Sequence, residues 1–197
     1  RQQNCFILLR GKMIIVGELN QLIKNLKSWI VNWGRSWSFW PLTFGTACCA
    51  IEMMVMASPR TDCERRGILF YASSPRHADV IIIAGTINLK MKERLRRLYE
   101  QMPDPKWVVA MGACEIGGGP FWDGYNVAKG ADRTLPVDIY VPGCPPRPEN
   151  LLEALIKLQE LIKENSMSRY ERSNCYLCKK PISKDSEKCE NCGAVLK

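Results

Sequence analysis

Four short apolar runs divide the middle of the chain, and each is bounded by Gly, Pro or Asp. They are rich in β-branched residues and cover positions 68–72, 80–84, 107–111 and 137–141. Runs of this length and composition are typical of strands that are buried on both faces. The pattern therefore predicts a sheet of four strands.

Segments with a helical period alternate with these predicted strands. Within 90–102 the apolar residues fall on one face of an otherwise charged helix, and 149–164 shows the same spacing. Alternating strands and helices predict an α/β fold in which helices cover both faces of a parallel sheet. Sheets of this kind carry their chemistry in the loops beyond the carboxyl ends of the strands.

The N-terminal region predicts an amphipathic helix. Over 19–33 apolar residues recur at three- and four-residue steps between Asn and Lys, and Trp37, Phe39 and Trp40 follow. The helix either packs on the core of its own domain or faces a membrane partner, since Trp beside Lys and Arg suits a lipid headgroup boundary. We expect no transmembrane segment, because no apolar run approaches the roughly 18 residues that a span needs.

The chain ends in a cysteine-rich module. Cys175 and Cys178 form one C-x2-C knuckle, and Cys189 and Cys192 form a second after ten intervening residues. Two such knuckles supply the four thiolates of a closed, tetrahedral zinc site. We therefore predict a zinc ribbon that holds one Zn²⁺. Iron in the same four sulfurs and a reducible dithiol are the alternatives.

These patterns divide the chain into four parts. Residues 1–40 form an interface segment and 41–164 form the α/β domain. Residues 165–174 are a polar linker without apolar period, and 175–197 are the zinc ribbon.

A second set of cysteines is spread through the predicted α/β domain. It consists of Cys48, Cys49, Cys114 and Cys144. Four cysteines that converge at strand ends match the ligand count of a 4Fe–4S cluster. Because neighbouring side chains diverge in regular structure, we expect the adjacent pair Cys48 and Cys49 to lie in irregular backbone. The competing interpretation, scattered buried thiols, suits Cys5 and Cys63 better.

Several motifs around these cysteines resemble one family. They are Phe44-Gly45-Thr46-Ala47-Cys48-Cys49-Ala50-Ile51-Glu52-Met53-Met54, Met56-Ala57-Ser58-Pro59-Arg60, Ser74-Pro75-Arg76-His77-Ala78-Asp79, Gly117-Gly118-Gly119 and Pro142-Gly143-Cys144-Pro145-Pro146. From about residue 29 to residue 162 the chain is similar to the B-type iron–sulfur subunit of the complex I family. The resemblance implies a flavodoxin-like fold without flavin. It also implies that one 4Fe–4S cluster, the last of an electron chain, is bound by Cys48, Cys49, Cys114 and Cys144.

The resemblance further implies an electron-transfer function within a membrane-associated oxidoreductase. Tandem cysteines at 48 and 49 look like quinone-reducing complexes, whereas Gly118-Gly119-Pro120-Phe121 and Arg147-Pro148-Glu149 look like hydrogenase relatives. Such a mixture is similar to the ferredoxin-driven sulfur-reducing branch, so sulfane sulfur or polysulfide is the expected acceptor. Quinone reduction and proton reduction are the alternatives.

The same resemblance implies the partners and the location. We expect a large subunit, a ferredoxin-like iron–sulfur subunit and membrane subunits, at the cytoplasmic face of the cell membrane, and no activity of the chain alone. We expect no nucleic-acid partner. The formal charge of +8 would suit a zinc-ribbon adaptor for nucleic acid, but that alternative leaves the four cysteines of the domain unexplained. A thiol–disulfide enzyme built on Cys175 and Cys178 is a further alternative.

Three charged residues are candidates for tuning the cluster. Glu115 follows Cys114 where a small residue is commoner in the family, and an ionised carboxylate there would lower the potential or couple reduction to proton uptake. Arg76 and Arg147 could offset the charge of the cluster. His77, the single histidine, precedes a predicted strand and is expected to cap or orient a turn rather than to act in catalysis.

Overall fold

The computed structural model describes residues 8–9, 12–13, 16–69, 72 and 74–163, with side chains at 23 and from 25 onwards. The predicted linker and the zinc ribbon lie outside the described residues, as does Cys5.

A parallel sheet forms the centre of the described domain. In chain order the elements are β1 (Leu8–Leu9), β2 (Lys12–Met13), α1 (Val16–Ser36), β3 (Pro41–Gly45), α2 (Cys48–Val55), β4 (Val80–Ala84), α3 (Leu89–Gln101), β5 (Trp107–Met111), α4 (Ala113–Gly117), β6 (Ile139–Val141) and α5 (Pro148–Lys163). Strands β3, β4, β5 and β6 pair in that order and all in parallel, whereas β1 and β2 form a separate antiparallel pair.

Helices cover both faces of the sheet, as the sequence predicted. Every residue of β4 is buried, and its side chains alternate between two apolar cores. Val80 and Ile82 join the core that contains residues of α2 and α5. Ile81 and Ile83 join the core that contains Leu95 and other residues of α3. Burial on both faces explains why β4 is a continuous apolar run rather than an alternating one.

The helix predictions agree with the structure. Helices α3 and α5 match the predicted 90–102 and 149–164 within a residue at each described end, and α1 extends the predicted 19–33 in both directions. Helix α1 packs against α5, and Nζ of Lys163 lies 4.7 Å from the ring centroid of Trp37. None of the described helices is both long enough and apolar enough to cross a bilayer.

The start of the sheet and its last strand differ from the sequence prediction. The first strand of the sheet is β3, which was not predicted. Of the predicted strand 68–72, residues 70 and 71 lie outside the described residues, and Ile68 forms an isolated bridge. Pro41 obscured β3, but a proline is tolerated at the first position of a strand, where no ladder donor is required. The last strand begins at Ile139 rather than 137. Before it, the carboxylate of Asp138 accepts the Val108 N–H at 2.8 Å, so a side chain replaces the main-chain acceptor there.

Residues 67–69 nevertheless run beside the start of β3. Ile68 forms an isolated parallel bridge with Phe39, and the N–H of Leu69 donates to the Phe39 carbonyl at 2.9 Å. The chain therefore moves to one side of β3 and then returns to the other side as β4. A reversal of this kind marks the point of an α/β sheet beyond which ligands bind.

Candidate functional site

The adjacent cysteines lie at the start of α2, directly after the carboxyl end of β3. Ala47 precedes them in extended conformation, and Cys48 is the first helical residue. The expectation of irregular backbone at this pair was therefore wrong. Adjacent side chains on a helix point about 100° apart. Because no helical turn precedes this pair, neither side chain is blocked on that side. The two sulfurs can therefore bind two different irons of a group as wide as an iron–sulfur cube.

The end of β5 approaches both Cys49 and the loop that carries Cys144. Gly112 has φ +99°, and a Cβ on it would lie 2.5 Å from Sγ of Cys49. Its N–H donates to the Val141 carbonyl at 2.9 Å, and the N–H of Ala113 donates to the Gly143 carbonyl at 2.8 Å. These two hydrogen bonds fix the Cys144 loop against the end of β5. Only a glycine lets the main chain come this close to the sulfur.

The four cysteines interact electrostatically. Burial, which is the largest cause, and the neighbouring Cys48, Cys114 and Cys144 together raise the pKa of the Cys49 thiol to about 12. A side-chain hydrogen bond with Cys48 acts in the same direction. Four thiolates could not all ionise in this space without cations to compensate them, which is the condition that metal ligation meets. The donor set and its surroundings therefore fit a thiolate-bound iron cluster.

A single metal ion and an iron–sulfur cluster require different spacings of four cysteines. Sulfurs that share one tetrahedral zinc stand about 3.8 Å apart, from Zn–S bonds of about 2.3 Å. Within the described residues, no three His, Cys, Asp or Glu side chains come together closely enough to hold one ion. An iron–sulfur cube needs wider spacing, because each cysteine binds a different iron. The assignment of all four as ligands stays a prediction.

Glu115 is buried beside the site. Its side chain is fully buried, and neither carboxyl oxygen has a hydrogen-bond partner. Burial raises the pKa of this carboxyl to about 8. The carboxyl is therefore held mainly in its neutral form at neutral pH, which differs from the ionised state considered for it from the sequence. Its tuning role stays a prediction.

The other charged candidates lie on the surface. Arg76 and Arg147 are exposed. His77 is also exposed and ends the short 3-10 turn Pro75–His77, where the Ser74 hydroxyl accepts the Arg76 N–H at 3.4 Å. This hydrogen bond caps the turn, so Ser74, and not His77, is the capping residue. Within the described residues, no hydrogen bond or ion pair links these three side chains to the cysteines.

An exposed apolar face of α2 borders the site and was not predicted from the sequence. Helix α2 buries Cys49 and Met53 but exposes Ile51, Met54 and Val55 beside the exposed Cys48. The spacing of these three apolar residues places them on the face of α2 away from the core. That spacing was readable in the sequence, but an apolar helix face is ordinarily assigned to the core, so the signal was ambiguous.

Comparison with known proteins identifies the family. The family described as NADH ubiquinone oxidoreductase, 20 Kd subunit, matches residues 47–158. The chain belongs to this family. It is 59% identical over 143 residues to the B-type subunit of NADH-quinone oxidoreductase from Rubrobacter xylanophilus, a match that covers 73% of this chain and 57% of that protein. It is 58% identical over 135 residues to the same subunit of Chlorobium limicola, covering 68% and 71%. The relatives are thus subunits of oxidoreductase complexes.

A solved structure gives the same result. A chain of the membrane-bound sulfane sulfur reductase, an archaeal respiratory membrane complex, superposes with a TM-score of 0.68 at 41% identity. The match covers 73% of this chain and 82% of that one. Some relatives are longer than the matched region: this chain covers less than two thirds of the subunits from Rubrobacter xylanophilus and Streptomyces griseus.

Proposed function

We propose that the chain is the electron-transfer subunit of a membrane-associated, complex I-like oxidoreductase. In this proposal one 4Fe–4S cluster is bound by Cys48, Cys49, Cys114 and Cys144. The observation that carries it is the gathering of these four cysteines at the carboxyl edge of the sheet, where Gly112 brings bare main chain against the sulfur of Cys49. Membership of the family of 20 Kd subunits supports the same conclusion.

In this function the residues of the chain position the cluster and shield it from water. A bound cluster supplies one-electron transfer, and no bond-making nucleophile is required. Cys49 and Cys114 are buried and keep water from the inner side of the site. Glycine main chain at Gly112 fixes the position of one sulfur, and the neutral form of Glu115 adds no negative charge beside it.

The exposed side of α2 is the proposed acceptor side. Ile51, Met54 and Val55 border Cys48 and offer an apolar surface that a large partner subunit would cover. An apolar cavity formed there with a partner would suit a hydrophobic acceptor, and the 59% identity to a NADH-quinone oxidoreductase subunit favours quinone. The second candidate is the acceptor expected from the sequence, sulfane sulfur or polysulfide. The 41% identity to a chain of the sulfane sulfur reductase supports it.

Helix α1 supports the proposed location at a membrane surface. It packs against α5 on one side, yet much of its apolar surface remains exposed. The exposed residues are Ile23, Leu26, Trp29, Ile30 and Trp33. Tryptophan with isoleucine and leucine on one helix is typical of contact with a lipid boundary or with membrane subunits. The proposed partners are therefore the membrane subunits at α1, the large subunit at α2 and a ferredoxin-like donor subunit.

Metal analysis of the chain, purified without oxygen, tests the proposal. We expect about four irons per chain and, after reduction, the low-temperature electron paramagnetic resonance signal of a 4Fe–4S cluster. About one zinc per chain would support the proposed ribbon at Cys175, Cys178, Cys189 and Cys192. Zinc without iron would contradict the electron-transfer function and favour the nucleic-acid adaptor. Oxidation of the reduced native complex by quinone, polysulfide or protons, each offered separately, decides the acceptor.

A further inference from the structure

The turn after α4 folds back over Cys114. The N–H of Gly118 donates to the Cys114 carbonyl at 2.9 Å, and the N–H of Phe121 donates to the Gly118 carbonyl at 3.1 Å. The residues Gly119–Phe121 between them form a 3-10 turn. Main-chain hydrogen bonds therefore fix where this turn lies relative to the cysteine.

Gly119 is the residue of the turn that meets the cysteine. A Cβ on Gly119 would lie 2.9 Å from the main-chain nitrogen of Cys114 and 3.1 Å from its Sγ. Such a group would have to displace either the thiol or the turn. Gly117 is a contrasting neighbour, because a Cβ there would meet nothing within 4 Å.

We propose that Gly119 is a positioning residue for the iron–sulfur cluster. The main chain of Gly119, which carries no side chain, lies against Sγ of Cys114 and thereby determines the direction in which this sulfur can bind iron. Groups that orient a metal ligand affect both the retention and the electronic properties of the centre. The inference rests on the proposed function, because the role it assigns is a role toward the cluster.

The test compares Gly119→Ala with the matched control Gly117→Ala in the full chain, purified without oxygen. We expect Gly119→Ala to change the g values of the reduced cluster and to release iron to a chelator about tenfold faster, the usual lower bound for an outer-shell change. Gly117→Ala should behave as the wild type does. An unchanged spectrum and release rate in Gly119→Ala would overturn the inference.

A second variant separates the added Cβ from backbone strain. Gly119 has φ +52°, a conformation that asparagine adopts more readily than alanine. Gly119→Asn carries the same Cβ, so we expect the same spectral change even if Gly119→Ala does not fold. If neither variant folds by circular dichroism, the turn is purely structural and the inference fails. Absence of a 4Fe–4S signal in the wild type would instead refute the proposed function itself.

Discussion

Two halves of the cysteine site differ in how the chain surrounds them. In the inner half, Cys49 and Cys114 are 2% and 6% exposed and lie against the main chain of Gly112 and Gly119. In the outer half, Cys48 and Cys144 are exposed, and the exposed apolar face of α2 continues from Cys48. The fold therefore completes the inner half by itself and leaves the outer half open.

This difference explains why such a subunit would need a complex. A cluster that is half exposed would be open to water and oxidants. Solvent access would also change its reduction potential. A partner that covers the outer half would close the site and would also bring the acceptor to it. The inner half should accordingly govern stability and iron retention, whereas the outer half should govern assembly.

Removal of an inner thiol should have the largest effect. We expect Cys49→Ala to abolish iron binding, because one ligand of four is lost. Cys63→Ala is the matched control: its thiol is fully buried as well, and burial raises its pKa to about 11, but none of the other cysteines contributes to that shift. Iron per chain is the measurement, and four irons retained in Cys49→Ala would contradict the ligand assignment.

The buried carboxyl of the inner half should give the next largest effect. Burial raises the pKa of Glu115 from 4.5 in the unfolded chain to about 8 in the folded chain. The free energy of unfolding is therefore highest below pH 4.5, where the carboxyl is neutral in both states. It falls by up to roughly 5 kcal/mol as the pH rises to and through about 8. We expect Glu115→Gln to remove most of this loss from the free energy of unfolding of the purified chain. Glu93→Gln, at an exposed carboxyl, is the control and should leave the pH dependence intact. A slope in Glu115→Gln equal to that of the wild type would refute the prediction.

Gly112 tests how tightly the inner half is built. Gly112→Ala should destabilise the fold by about 1–3 kcal/mol, the usual cost of an alanine forced to a positive φ of this kind, and should also disturb Cys49. The measurement is denaturant unfolding together with iron content. Gly34→Ala is the control, because a Cβ there meets nothing within 4 Å and alanine favours a helix. If both variants unfold at the same denaturant concentration, the close approach to Cys49 has no energetic consequence.

The outer half should show the smallest effect on stability. Ile51 is 67% exposed, so Ile51→Ser should change the free energy of unfolding by no more than about 0.5 kcal/mol. We expect the same variant to lower the amount of chain recovered with its complex. Met53→Ser, at the adjacent buried face of α2, should instead cost about 2 kcal/mol or more. Normal recovery of Ile51→Ser with the complex would show that this face is not a partner surface.

The sequence predicted the elements whose pattern is set by burial alone. Strands β4 and β5 and helices α3 and α5 follow directly from apolar runs and from helical spacing. Strand β3 was missed because Pro41 and the short run after it give little signal, and its position depends on pairing with β4. The start of β6 was misjudged because Asp138 replaces a ladder acceptor through its side chain, which only tertiary contact decides.

The cysteine site shows the same limit. Its four members could be named from glycine neighbours and from family resemblance, but their relative exposure could not. The burial of Glu115 and the approach of Gly119 to Cys114 depend on how the chain returns after α4. Such contacts arise between segments that are separated by a turn, so no local spacing encodes them.

Helix α5 joins two parts of the domain that have different proposed roles. It begins four residues after Cys144 and continues for 16 residues to Lys163, a distance of about 24 Å at 1.5 Å per residue. Because Lys163 contacts Trp37 at the end of α1, the far end of α5 lies beside the proposed membrane-facing helix. The helix thus links the cysteine end of the domain to the side that is proposed to meet the lipid boundary.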